Sequence, residues 1–298
     1  MNMHLTIART SANEMNHKPR LIGSRRGVLI AIAIAGVWAA YYAGLDPREL
    51  IPGEGGLKLA GEFFGAAFQP AYTYQQTPPD GAPPFLVKVM YAMITTVIFA
   101  AAAIGISIVL GLMLGFLAST SWWMGDPAFR GRSTRVIGPI AYSFVRTLIA
   151  GMRSVHELLW AVIFFAAMGI SPVAAVIAIV IPYAGTLAKV FSEMIDEAPR
   201  DAAVSMRATG GTSVQAFCFG LLPLALPDLI AYALYRFECG LRSSAILGFF
   251  GILTVGYHLE DAFHYGQYRE VWTYLYALFL LVALMDWWSG SVRRRLVV

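Results

Sequence analysis

The chain has 298 residues, of which 58% are hydrophobic and 13% charged, and its formal net charge is +4. Soluble domains carry about 25% charged residues, so the composition excludes a soluble domain and points to a chain that crosses a membrane several times. The basic residues gather in short stretches between apolar runs, which argues against nucleic acid as a partner, and the two cysteines, Cys218 and Cys239, supply neither a disulfide framework nor a zinc knuckle.

Residues 1–26 form a cytoplasmic N-terminal segment holding Lys18, Arg20, Arg25 and Arg26, and residues 27–44 are the first transmembrane helix. The text SRRGVLIAIAIAG also resembles a twin-arginine export signal, but such a signal does not need the further spans that follow. Residues 45–86 are a periplasmic loop, mildly acidic, ending in QPAYTYQQTPPDGAPP, where Pro and Gly preclude a long helix. Within it, LKLAGEFFGAAF is expected as a short helix on the membrane surface, in a flexible, interface-anchored loop whose aromatic residues are free to meet a partner.

Residues 87–298 are the membrane-spanning core. Val87 to Leu117 is the second span, followed by a short loop with Arg130, Arg132 and Arg135. Val136 to Met168 is too long for one span, which needs about 20 residues. It is expected to split into an interfacial elbow, Val136 to Met152, and the core of span three, Val155 to Met168. Pro172 to Phe191 is span four, residues 193–222 a more polar cytoplasmic loop, and Leu224 to Phe250 span five. A polar, aromatic stretch leads to span six, Val271 to Ser289, closed by Arg293, Arg294 and Arg295. About six spans place the basic loops and both termini on the cytoplasmic side. The acidic loops, with Asp46, Glu49, Glu54, Glu62 and Asp80 in one and Glu260, Asp261 and Glu270 in the other, then face outward.

No phosphate-binding G-x-x-x-x-G-K occurs: the lysines are Lys18, Lys58, Lys88 and Lys189, and none follows a glycine. No G-x-S-x-G or H-E-x-x-H occurs either. His258, Asp261 and His264 have metal-ligand side chains, but steps of three on a helix drift around its axis, so no metal is expected there. A transporter therefore outranks a membrane-embedded enzyme, and a scaffold that only recruits an ATPase is the other alternative.

The most specific text is the loop EMIDEAPRDAAVSMRATGGTSVQAFCFGLLPLALP. Asp196, Glu197 and Asp201 are expected at a helix start, where the macrodipole favours anions, with Pro199 in the first turn. Gly210 and Gly211 stop that helix, and Thr212 opens a second one with Gln215 completing a capping box. A compact unit of this kind suits docking in a partner's groove, and a short connector is the plainer alternative.

Gly210 is followed thirteen residues later by Pro223, with Leu222 before it. The loop resembles the coupling motif of binding-protein-dependent ABC importer permeases. RSVHELLWAVIFFAAMGISP, MRATGG, GLLPLALPDLIAYALYRFECGLRSSAILGFFG and DWWSGSVRRRL narrow the resemblance to the phosphonate-type permeases. It runs from Val136 to the C-terminus, and the insert before residue 87 stands apart. There are departures: the motif's Glu falls at Val204, its two Ala at Ser205 and Met206, and the Pro expected before Glu157 is His156.

The resemblance implies an all-α membrane protein with the type I ABC importer permease (MetI-like) fold, in the bacterial inner membrane. It implies two permease subunits, identical or not, a pair of cytoplasmic ATPases that bind ATP and Mg, and a periplasmic substrate-binding protein. Asp201, Val204, Arg207, Gly210, Leu222 and Pro223 would carry the ATPase coupling. The chain itself would hold no cofactor and catalyse nothing, and the cargo would be a phosphonate or, alternatively, phosphite, phosphate or another small oxyanion.

Span five carries Arg236, Glu238 and Arg242. A central Arg in a bilayer costs about 3 kcal/mol on insertion scales, so each charge needs a partner or water. Glu238 and Arg242, four apart, are expected to pair, and Arg236, about 200° around the helix from Glu238, to find Glu157 on span three. These four residues are either interhelical ion pairs or a hydrated, positive path for an oxyanion.

Overall fold

The computed structural model describes residues 25–45, 53–77, 80–120 and 132–296. Residues 1–24, Asp46, Glu49 and Arg130 lie outside these. Among the described residues all regular structure is helical. The elements are α1 (Arg25–Tyr42), α2 (Glu54–Ala67), α3 (Phe85–Ala118), α4 (Arg132–Ser154), α5 (Glu157–Met168), α6 (Pro172–Glu197), α7 (Asp201–Ala208), α8 (Leu222–Ile246), α9 (Val255–His264) and α10 (Tyr268–Leu296). A short helical turn, Ser213–Gln215, and a π-helical turn, Ala216–Leu221, lead into α8, which tightens to a 3-10 turn over Leu247–Phe250. The chain divides into two units, one ending at Gly61 and one beginning at Glu62, and the boundary falls inside α2.

Among the described residues, four helices are long and apolar enough to cross a membrane: α3, α6, the run through α8, and α10. The bent pair α4–α5 brings the number to as many as five. The expected first span is a shorter apolar helix, Gly27–Tyr42. The elbow in span three is present as an 89° bend between α4 and α5. With its 12 residues, α5 reaches only about 18 Å, short of the ~30 Å hydrocarbon layer, so it cannot cross alone.

The centre of the second unit is α6, packed on α3, α4, α5 and α8. Its inner face is lined by small residues, with Ala174, Ala175, Ala178, Ala184 and Ala188 all fully buried. Lipid offers no hydrophobic drive between helices, so backbones must approach closely enough for dispersion contacts to hold them. Gly111 on α3 shows how close: a Cβ there would stand 2.7 Å from Cβ of Leu187. Arg146 of α4 donates to the carbonyl of Ala118 at 3.2 Å, which places a cation at the C-terminal end of α3, where the macrodipole favours one.

The second half of the 45–86 insert departs from the expected free loop: residues 62–77 are strapped along the start of α10. Trp272 Nε1 donates to the Phe63 carbonyl at 2.7 Å and Tyr276 to that of Ala67 at 2.9 Å. Arg269 Nε donates to Gln69 O at 2.7 Å, and Thr273 to Ala71 O at 2.8 Å. The Gln75 amide donates to Glu270 Oε1 at 2.6 Å, and the Glu270 amide returns to Gln75 Oε1 at 3.2 Å. With no regular structure after Ala67, the strap's backbone groups need partners elsewhere, and α10 supplies them.

Candidate functional site

The polar loop between α6 and α8 folds as helix, glycine stop, helix, but its first helix starts later than the acidic run. α6 continues through Asp196 to Glu197, and Ala198 is extended at φ −60°, ψ 144°. The reason is Pro199, whose ring disfavours α geometry in the residue before it. Only Asp201 of the three acids opens α7. Asp196 instead accepts the Ser119 hydroxyl at 2.6 Å and the Thr120 amide at 3.0 Å, tying the end of α3 to α6.

α7 ends on Gly210, at φ +91°, a backbone conformation that glycine adopts without a Cβ penalty. The Gly210 amide donates to Arg207 O and the Gly211 amide to Met206 O, both at 3.0 Å. This double closure satisfies two end carbonyls and turns the chain back. The predicted capping box follows: the Thr212 amide donates to Gln215 Oε1 at 2.8 Å and the Gln215 amide to Thr212 Oγ1 at 3.3 Å.

The returning chain widens into the π turn Ala216–Leu221 just before Pro223 and Pro227, neither of which has an N–H to give to the preceding turn. α7 packs directly on this turn. A Cβ on Gly220 would stand 2.9 Å from Cα of Ala203, so only glycine lets the two backbones meet. Ala203, Ala216 and Leu221 form a small buried cluster there, with Met206 and Phe217 at its edge. Leu222 packs at the edge of a second cluster, with Leu187, Phe191, Ile195, Ala225 and Leu229. The opposite face of α7 is open: Asp201 and Val204 are exposed, Val204 at 62%, Arg207 is half-buried, and Pro223 is exposed at the start of α8. A short helix is thus held rigidly at its base while presenting an outer face with an apolar centre.

The charges of α8 are not paired as expected. Glu238 binds Arg293 of α10, with Nη2 to Oε1 at 3.2 Å, and Arg293 also lies 3.6 Å from Asp286. Arg242 is exposed and reaches the Cys239 sulfur at 3.5 Å. Helical side chains lean toward the N-terminus, which carries Arg242 over Cys239 and leaves Glu238 to the cation from α10. Nor does Arg236 reach Glu157. Its Nε donates to Tyr232 Oη at 2.9 Å, and its guanidinium carbon lies 5.3, 5.9 and 6.0 Å from the ring centres of Tyr232, Tyr235 and Tyr183.

Glu157 accepts from Ser243 Oγ at 2.9 Å, and Ser243 Oγ lies 2.8 Å from Tyr183 Oη. A serine has one hydroxyl hydrogen. Since it goes to Glu157, Tyr183 donates to Ser243. A buried chain, Tyr183 to Ser243 to Glu157, therefore runs between α6, α8 and α5. Sequence reasoning missed Tyr183, Tyr232, Tyr235 and Ser243. The spacing of Tyr232 to Arg236, four residues on one helical face, is the signal that points to the first contact.

A cavity of about 590 Å³ lies beside the loop between α6 and α8, lined among others by Glu197, Pro199, Asp228, Tyr232, Tyr235 and Arg293. Glu197 and Asp228 have no ion-pair partner among the described residues. His258, of the three metal-type residues, stacks on Tyr274 at 5.8 Å.

Residues 128–298 match the family described as binding-protein-dependent transport system inner membrane component. The phosphite transport system permease protein PtxC of Stutzerimonas stutzeri is 32% identical over 205 residues, covering 68% of this chain and 69% of its own. The putative cryptic phosphonate transport system permease protein PhnE2 of Escherichia coli K12 is 30% identical over 121 residues, 41% of this chain and 99% of its own. Among solved structures, the MetNI methionine ABC transporter in inward-facing conformations superposes with a TM-score of 0.62 at 21% identity, over 73% of this chain and all (100%) of that one. At that identity the likeness speaks for the fold. With regular structure that is all helical among the described residues, several membrane-crossing helices and this match over more than half its length, the chain belongs to the inner membrane components, the permeases, of binding-protein-dependent transport systems.

Proposed function

We propose that this chain is a permease subunit of an ATP-driven importer for phosphonates, with phosphite, phosphate and other small oxyanions as the neighbouring cargoes. It sits in the inner membrane with both termini cytoplasmic, beside a second permease subunit. A pair of ABC ATPases, holding ATP and Mg, docks below, and a periplasmic binding protein delivers the cargo above. The observation that carries this reading is α7, an exposed eight-residue helix seated through Gly220 on the π turn that leads into α8. A push on α7 reaches α8 without slack, because Ala203 and Gly220 are in backbone contact. Asp201, Val204, Arg207, Gly210, Leu222 and Pro223 form or support the docking unit. Transport follows as a two-state rearrangement of packed helices, biased by the nucleotide state of the ATPases.

The cargo rests on the named activities of the relatives and on Arg236 in α8, which has no carboxylate partner among the described residues. Val204 at the motif's acidic position gives the ATPase an apolar contact in place of a charged one, and a non-identical second permease bearing the acid would complete the pair. The test is uptake of a labelled alkylphosphonate by cells with and without the chain, with unlabelled phosphite and phosphate as competitors. Chain-dependent uptake blocked best by phosphonates supports the cargo. Better competition by phosphite renames it, and uptake indifferent to the chain overturns the importer.

A further inference from the structure

Of the arginines around α8, Arg293 is neutralised by Glu238 and Asp286, and Arg242 is exposed against Cys239. Arg236 is different. It is partly enclosed, and among the described residues no carboxylate stands within ion-pair distance of it. One of its five donors is used, Nε to Tyr232, and its terminal nitrogens have no protein partner among the described residues. The guanidinium carbon lies over the rings of Tyr183, Tyr232 and Tyr235. Cation–π contact offsets part of the missing counter-charge while leaving the two-pronged edge, the part that fits two oxygens of a tetrahedral anion.

The tyrosines differ in what they offer. The Tyr232 oxygen accepts from Nε, so its own hydrogen remains to be donated. The Tyr235 side chain is 45% exposed, and its hydroxyl has no partner among the described residues. Tyr183 has committed its hydrogen to Ser243 and contributes only a ring face. Guanidinium edge and two phenols make a cluster of available donors with no carboxylate among them, a composition suited to an oxyanion. Tyr232 and Tyr235 also line the 590 Å³ cavity beside the loop between α6 and α8, so this cluster has a route out. One turn nearer that loop, Asp228 lines the same cavity, with Glu197 across from it. An anion leaving the donors would meet carboxylates that cannot hold it.

We propose that Arg236, Tyr232 and Tyr235 form the transient contact for a tetrahedral oxyanion within this chain, and that Arg242 does not. The proposal rests on the oxyanion cargo inferred above. The test uses the complete transporter in proteoliposomes with its binding protein, reading phosphite and methylphosphonate uptake and ATP hydrolysis together. Tyr232→Phe and Tyr235→Phe keep ring and cation–π contact and remove only the donor. Each should lower cargo moved per ATP hydrolysed about tenfold, the worth of one hydrogen bond to a charged group, and Arg236→Gln by more, while Arg242→Gln leaves the ratio unchanged. A purely structural role would lower uptake and hydrolysis together and leave the ratio alone. Wild-type ratios in both phenylalanine variants overturn the oxyanion contact, whether or not Arg236→Gln accumulates. If the unaltered transporter moves neither anion, the cargo reading itself fails, an outcome separate from failure of the contact.

Discussion

Arg293, near the end of α10, holds Glu238 in the middle of α8 at 3.2 Å. The pair joins two spans, and it sits where the tail arginines were expected only to mark the cytoplasmic side. Glu238 is 9% exposed, so little water is available to replace this partner. Removing one member of a buried pair costs about 3–5 kcal/mol. The Arg293 side chain is 32% exposed, and water reduces the penalty to about 1–2 kcal/mol.

Arg293→Gln should therefore lower stability in detergent by about 1–2 kcal/mol, with Glu238→Gln partly restoring it in the double variant. Arg242→Gln should change it by less than about 0.5 kcal/mol. Denaturant unfolding of the wild type, the two single variants, the double variant and Arg242→Gln checks this, and additive effects of the Arg293 and Glu238 changes would mean that the pair contributes no coupling.

The proposed docking role of α7 and the turn behind it separates assembly from transport. Gly210 sits at φ +91°, where an L side chain costs about 1–2 kcal/mol. Gly220 cannot take a Cβ without moving the Ala203 backbone. Gly210→Trp or Gly210→Pro, and separately Gly220→Val, should leave the chain in the membrane at normal levels and abolish uptake. Normal uptake in any assembled Gly220→Val transporter would show that α7 and α8 need not move as one body.

Much of this was readable in the sequence because it depends on neighbours along the chain. The limits of α3, the elbow before Glu157, the stop at Gly210 and the Thr212–Gln215 box are all local, set by hydropathy, proline, glycine and capping. Even the late start of α7 follows from Pro199, once its effect on Ala198 is given more weight than the attraction of acids to a helix start. The ion pairs were not readable. A four-residue spacing shows that Glu238 and Arg242 are able to meet, but not that Arg293, 55 residues on, arrives first. Of the tyrosines around Arg236 only Tyr232, four residues away, is signalled by spacing; Tyr183 comes from another helix, and the strap's partners lie about 200 residues away, so these leave no periodic trace.

His258 predicts a pH dependence. It lies in α9, outside the membrane-crossing helices, and burial, with Lys88 adding to it and Asp261 opposing, pushes its pKa down from 6.5 to about 4. Above pH 6.5 it is neutral whether the chain is folded or unfolded. As pH falls from 6.5 toward 4 the unfolded chain takes up the proton and the folded one does not, so stability is lost across that window. Allowing for the ring's partial exposure, the loss is about 1–2 kcal/mol. Comparing unfolding midpoints at the two pH values for the wild type and His258→Gln isolates this contribution, and an identical drop in the variant would assign it elsewhere.

The strap makes the last prediction. The Gln75 amide has its acceptor in the Glu270 carboxylate at 2.6 Å, and Glu270, 3% exposed, is among the most buried charged residues of the fold. Glu270→Ala leaves that amide without its partner and frees the end of the strap, while the bonds from Arg269, Thr273 and Trp272 still hold residues 63–71. Hydrogen exchange should then rise about tenfold or more at Gln75 and its neighbours and change little near Phe63. Trp272→Phe should do the reverse, loosening the Phe63 end and sparing Gln75. Uniform loosening of residues 62–77 by either variant would mean that the strap opens as one cooperative unit, not as two separately fastened ends.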